Sequence, residues 1–218
     1  MKTTFTVLAA AMLASCGGHK SGSESDDSSQ NNNGNGTAGV TGNILKRTLS
    51  TQEALSMPIS SADCGRPFGN LPNATGTLIW MSSISETCSL QGNPCRVQPN
   101  ALTLVLIPWN AASSGAPPDI SPGVYPVTPN ADGDGARGAF VEVLSTDASC
   151  NLTSRLPGAT SGNVTITAVH GSALSGTFEV KLTDGEIVTG SFKTVECKLD
   201  TSPVCEGVLA CSGTLQCG

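Results

Sequence analysis

The sequence predicts an all-β domain: an antiparallel β-sandwich or small barrel with one short N-terminal helix, bonded by disulfides. Three observations carry the expectation. Seven or so short runs rich in β-branched or aromatic residues are each bounded by Gly, Pro, Asn or Asp, which is how strands separated by turns read. Gly and Pro are plentiful, at 25 and 13 residues, and helical periodicity is scarce. Eight cysteines lie beyond residue 60, an even number that in an exported chain reads as a disulfide framework.

Export is read from the first residues. Met1-Lys2 gives a minimal positive start, and the apolar run from Phe5 to Leu13 is too short to span a bilayer as a helix, so it reads as a signal segment. The run ends in Leu13-Ala14-Ser15-Cys16, which resembles the lipobox of bacterial lipoproteins. The resemblance implies that residues 1–15 are removed, that Cys16 becomes a diacylglyceryl thioether and that the new amino terminus is acylated. Each buried methylene contributes about 0.8 kcal/mol, so three chains would hold the protein at the membrane firmly. Position 17 is Gly, not the Asp that often marks inner-membrane retention in this family, which favours the outer membrane. Which face of that membrane the domain occupies is left open.

Residues 16–43 read as the lipidated Cys16 followed by a flexible tether. Ser, Gly and Asn dominate there, and such a segment buries too little surface to offset its ordering entropy. As a coil it would reach roughly 25–30 Å. His19 falls in this stretch and reads as solvated.

Residues 44–218 are long enough for one domain with its own core. A formal charge of −6, spread without long runs, makes nucleic acid and anionic membrane surfaces poor partners. Ser50-Thr51-Gln52-Glu53 has the form of a capping box before Ala54-Leu55, so a short helix is expected from Ser50 to Met57, stopped by Pro58. Strands are expected at Thr77–Ile84, Ala101–Ile107, Val124–Val127, Ala139–Leu144, Val164–Val169, Gly176–Leu182 and Ile187–Val195. The almost wholly apolar run Leu102 to Ile107 is expected in the middle of the core.

The hairpin around Asp184-Gly185 can be read to its register. A two-residue loop splits the apolar set of the second strand. A three-residue loop, Thr183-Asp184-Gly185 with Gly185 left-handed, places Val180 opposite Val188, Phe178 opposite Gly190 and Gly176 opposite Phe192. The hydrophobic pattern favours the latter, because a slip of one residue exchanges core for solvent. Each Phe then covers the bare backbone of a facing Gly. Only Ile187 is left out of place.

The eight cysteines are Cys64, Cys88, Cys95, Cys150, Cys197, Cys205, Cys211 and Cys217. They read as four disulfides; zinc is the alternative, but no C-x-x-C pair occurs. Eight cysteines allow about 105 pairings, of which a local Cys88–Cys95 bridge is the preferred element. Cys205, Cys211 and Cys217 are expected to clip a strandless C-terminus to the domain.

Gly162 to Thr167, Ser175-Gly176-Thr177-Phe178, Asp184-Gly185, Gly190-Ser191-Phe192 and Cys197, together with Pro122-Gly123-Val124-Tyr125, resemble uncharacterised bacterial surface lipoproteins of the kind abundant in myxobacteria. The resemblance covers about half the chain, implies a β-sandwich-like domain and brings no catalytic residues.

Three groups are candidates for chemistry. Asn130, Asp132 and Asp134 match the start of an EF-hand calcium loop, but its twelfth position is Val141 where a bidentate Glu is needed. A loop of Asx turns explains the same residues. His170 is the only histidine of the domain and would have to serve any Ser–His–Asp or Cys–His set, yet His170-Gly171-Ser172 reads as the tip of a turn. Trp80, Trp109 and Tyr125 could form a stacking platform. Trp80 reads as core, whereas Trp109 follows Pro108 and opens a Pro- and Gly-rich excursion to about Gly138, where a partner surface is sought first.

The expected function is that of a lipid-anchored envelope protein displaying a non-enzymatic β-domain for binding, adhesion or envelope structure, with a protein or glycan partner and no cofactor. An envelope hydrolase with a site assembled from distant residues is the alternative. A third reading is a protein inhibitor that presents the Cys88-to-Cys95 loop to an exported enzyme.

Overall fold

The computed structural model describes residues 36–61, 73–85, 96–128, 137–197 and 216–217. The signal and lipid-attachment positions through Cys16, the calcium candidates Asn130, Asp132 and Asp134, and Cys64, Cys88, Cys95, Cys205 and Cys211 lie outside them.

All regular structure in the described residues is strand. In chain order these are β1 (Thr37–Thr41), β2 (Asn43–Ile44), β3 (Arg47–Thr48), β4 (Glu53–Ser60), β5 (Ala74–Ser82), β6 (Arg96–Val97), β7 (Leu102–Ala111) and β8 (Gly123–Pro126). There follow β9 (Arg137–Thr146), β10 (Leu152–Pro157), β11 (Ala159–His170), β12 (Ala173–Leu182), β13 (Ile187–Lys193), β14 (Val195–Glu196) and β15 (Gln216–Cys217). One sheet has five strands in the order β1-β13-β12-β11-β8, and the other has six in the order β10-β9-β7-β5-β4-β14. Neighbours in both are antiparallel, apart from β14 beside β4.

The two sheets share one core. Tyr125, Val164, Phe178, Val180 and Phe192 of the five-stranded sheet pack with Ile79, Met81, Leu104, Leu106 and Val143 of the six-stranded one. A second apolar cluster, including Leu55, Leu78, Trp80, Ile107 and Trp109, covers the opposite face of the six-stranded sheet. Strands buried on both faces lose the alternation of a half-exposed strand, which is why Leu102 to Ile107 reads as a continuous apolar run. At the lateral margins the chain passes from one sheet to the other. Val127 N donates to Gly162 O on β11, and the next residue, Thr128, donates to Ala139 O on β9. On the far side β13 gives way after Thr194 to β14, which pairs with β4.

The helix expected at Ser50–Met57 is not formed; Glu53 to Ser60 is β4, paired along its length with β5. Leu55, Met57 and Ile59 alternate onto one apolar cluster while Ala54 faces the other, and that two-sided burial overrides a local capping signal. Pro58 is tolerated because even-numbered residues of β4 point their N–H away from β5. Ala54 N donates to Gly36 O, and Pro58 lies beyond the end of the short β14. Pro108 similarly falls where the β5–β7 ladder lacks the pairs at Thr77 and Leu78.

The tether boundary at residue 43 is corrected as well. Thr37, Gly39 and Thr41 face solvent while Ala38 and Val40 pack on the core, so β1 is a short alternating strand hidden in a Thr- and Gly-rich context. The C-terminus is not strandless either, since Cys217 lies in β15, parallel to β6.

The β12–β13 hairpin has the three-residue loop and the expected register, with Gly176 opposite Phe192, Phe178 opposite Gly190 and Val180 opposite Val188. Gly185 has φ of 92°, and its N–H closes the turn onto Leu182 O at 3.0 Å. Ile187, the residue that did not fit, is 58% exposed.

Cys150 and Cys197 sit at opposite margins of the six-stranded sheet. Cys150 lies in the β9–β10 turn with φ of 63°, and Cys197 follows β14, its N–H donating to Ser56 O. Five strand spacings come to about 24 Å, whereas a disulfide needs Cα atoms within about 7 Å. Geometry therefore excludes a bridge between these two. Beside Cys150, the Asp147 carboxylate accepts from the Asn151 side-chain amide and from the Asn151 and Ser149 N–H groups, which hold it below the usual carboxylate range.

Candidate functional site

Where the two sheets part at one end, a cleft of about 650 Å³ opens between them. Its origin is a break in the apolar pattern. Toward the five-stranded sheet, β4 and β5 present Ala54, Ile79 and Met81 to the core, but farther along they present Pro58, Ser60, Thr75 and Thr77. Hydroxyl groups thus replace aliphatic side chains at Thr75 and Thr77 of β5, opposite Ser60 and Pro58 of β4. The wall opposite is apolar: Ile120, Val169 and Leu174.

The segment carrying Ile120 and Asp119 is pinned at several points. Thr75 Oγ1 donates to Pro118 O at 2.8 Å, and Asn110 Nδ2 donates to Asp119 O at 2.7 Å and to Pro118 O at 3.2 Å. Tyr125 OH donates to Ser121 O at 2.8 Å and accepts from Ser121 N at 3.0 Å. Arg137 closes over the Tyr125 ring at 5.0 Å, in space that a Cβ on Gly123 would fill. The cleft wall is thereby fixed before any ligand arrives, which lowers the ordering cost of binding.

The floor contains Thr77, which is 6% exposed and lines the cleft. Its hydroxyl makes no side-chain hydrogen bond to another described residue and is not among the atoms sealed from solvent without a partner, so in the cleft it is open to water and to a ligand. Asp119 supplies the carboxylate at the rim, and the lining residues include no Lys or Arg.

Behind the cleft a hydroxyl relay ties the sheets together. Leu174 N donates to Thr194 Oγ1 at 2.8 Å, Thr194 Oγ1 donates to Ser56 Oγ at 2.7 Å, and Ser56 Oγ donates to Ser172 O at 2.7 Å. Ser56 and Thr194 are buried. Thr194→Val is nearly isosteric yet leaves Leu174 N–H and Ser56 Oγ without that partner. It is expected to lower stability by about 1–3 kcal/mol, read as a lower urea midpoint at unchanged slope.

Two residues expected to act at the surface, Trp109 and Tyr125, are placed otherwise. Trp109 is 1% exposed, lies within β7 and stacks on Phe140 with ring centroids 5.9 Å apart. Tyr125 is fully buried, so its part is to hold the cleft wall. Neither ring offers a face to a ligand, and the excursion expected from Trp109 starts after Ala111. Pro108 suggested a loop, but the burial available to Trp109 keeps the strand going. His170 is exposed at the tip of the β11–β12 hairpin, paired with Ala173 across Gly171-Ser172. Among the described residues no three or more His, Cys, Asp or Glu are gathered as metal ligands would be.

The cleft was not visible as a motif because it is assembled from residues 58–60, 75–77, 119–120 and 169–174. The usable signal was the run of polar residues at inward positions of two adjacent strands. A second hollow of about 750 Å³ lies on the outer face of the five-stranded sheet, where Thr165, Thr177, Thr189 and Ser191 face solvent as Thr and Ser commonly do on a sheet. Compared with family models, with curated proteins and with solved structures, the chain matches none.

Proposed function

We propose that this chain is a lipid-anchored binding protein of the bacterial outer membrane. Cys16 carries the lipid, the following segment lifts the domain clear of the headgroups, and a disulfide-braced, non-enzymatic β-sandwich offers its end cleft to a ligand. The observation that carries the binding role is the cleft itself, with a pinned wall and the Thr77 hydroxyl in its lining. A volume of about 650 Å³ falls within the range of small-ligand sites. The anchor is supported by Leu13-Ala14-Ser15-Cys16. The disulfide bracing is supported by the even count of eight cysteines beyond residue 60 in a chain with an export-type start.

Two measurements test this. On fractionation the wild type is expected with the outer membrane and Cys16→Ser in the soluble fraction; a soluble wild type with an unmodified Cys16 by mass spectrometry overturns the anchor. In an NMR ligand screen, binders are expected to shift the amides of Gly171, Ser172 and Thr75–Thr77, and Ser172→Trp at the mouth is expected to abolish those shifts. Shifts confined to the outer face of the five-stranded sheet overturn the cleft as the site.

A further inference from the structure

We infer that the end cleft selects a primary alkylammonium group, as carried by a lysine side chain or by a free aliphatic amine. The inference rests on the cleft being the binding site and adds the chemistry of its ligand.

The lining is divided into two kinds of surface. Ile120, Val169 and Leu174 form an aliphatic wall that can take methylenes but no hydrogen bond. Facing them are acceptors without enough donors. Thr77 Oγ1 makes no side-chain hydrogen bond to another described residue. Thr75 Oγ1 gives its only proton to Pro118 O and keeps its lone pairs. The Asp119 carboxylate stands at the rim with its segment held by Asn110. An ammonium brings three donors and no acceptor, which suits a lining that offers acceptors in kind. A carboxylate or phosphate would bring only acceptors and would meet Asp119 with like charge. A neutral alcohol could pair with Thr77 but gains nothing from the charge. The aliphatic wall and the acceptor side together call for a chain of methylenes ending in a cation, the arrangement in which a long basic side chain buries its stem.

The test uses the full chain and three probes of equal length: n-hexylammonium, n-hexanol and hexanoate. Amide shifts of Thr75–Thr77, Gly171 and Ser172 are followed by NMR. Hexylammonium is expected to bind at least tenfold more tightly than hexanol, and hexanoate more weakly than either. Along butyl-, pentyl- and hexylammonium, affinity is expected to rise about three- to fourfold per methylene. Asp119→Asn is expected to reduce hexylammonium to the affinity of hexanol without weakening hexanol. Thr77→Val, which removes a hydroxyl that makes no side-chain hydrogen bond to another described residue and so leaves folding intact, is expected to weaken the amine about tenfold.

A lysine with acetyl and amide caps distinguishes the sources. Binding as tight as hexylammonium points to a peptide-borne side chain, and binding tenfold weaker points to a free amine. Equal affinity of hexanol and hexylammonium in the wild type overturns the cationic ligand and leaves the cleft as a site. If no probe shifts the cleft residues, the site and its ligand class both fall.

Discussion

Gly190→Ala is expected to destabilise the domain by about 3 kcal/mol, the upper end of the usual cost of over-packing. A Cβ at position 190 would lie 2.3 Å from Gly39 O on β1 and 2.6 Å from Cζ of Phe178. The first is a backbone atom in a paired strand and the second is part of a ring buried at 4% exposure, so neither yields without disturbing the sheet or the core. Gly39→Ala, on the neighbouring strand, is the control. Its Cβ would meet only Ser191 Oγ, at 3.9 Å. With no clash and a stiffer unfolded chain, that variant is expected to be neutral or slightly more stable. Adding Phe178→Leu to Gly190→Ala is not expected to restore stability, because the Gly39 oxygen remains. Urea denaturation of the four proteins measures all of this. Equal stability of Gly190→Ala and Gly39→Ala would show that the close approach of β1, β12 and β13 is not as described.

The same region shows what could be read from sequence. In the β12–β13 hairpin, strict alternation and two Gly-x-Phe repeats left one register that kept the apolar set on one face, and the whole pairing followed from local information. β4 was misread because its deciding contacts are remote: Ala54 with Gly36, Leu55 with Val195, and the full ladder with β5. A capping signal of four residues at its start could not compete with burial on both faces. β1 was missed for the opposite reason, since TAGVT has an alternating pattern but almost no hydrophobic contrast. The cleft depends on which inward positions of different strands end up level with one another. That is a consequence of register between strands, so Thr77 could be recognised as an inward hydroxyl only once Ile79 and Met81 were known to face the core.

Trp109→Ala is expected to cost about 3–5 kcal/mol, the range for removing a large buried aromatic, and to lower the melting temperature by roughly 10 °C. Had Trp109 been an exposed stacking platform, the same change would weaken ligand binding and leave stability almost untouched. The surroundings decide between these outcomes. In the ladder Trp109 lies opposite Gly76 on β5 and Gly138 on β9. A Cβ on Gly138 would come within 2.6 Å of Cζ2 of the indole. The ring therefore lies over bare backbone, as Phe178 and Phe192 do over Gly190 and Gly176, and repeats the hairpin's device in the other sheet. Alanine would open a void bordered by glycine and by Phe140, with no side chain on either neighbour to fill it. Trp109→Phe should be much milder, costing about 1 kcal/mol, because the ring can still stack on Phe140 and cover Gly138. It also forfeits no hydrogen bond, since the indole Nε1 is buried without a partner. A Trp109→Phe variant as unstable as Trp109→Ala would mean that the indole N–H contributes a bond that this arrangement does not contain. Amine binding at the cleft should survive in Trp109→Phe, since the ring lies on the opposite face of its sheet from Thr77.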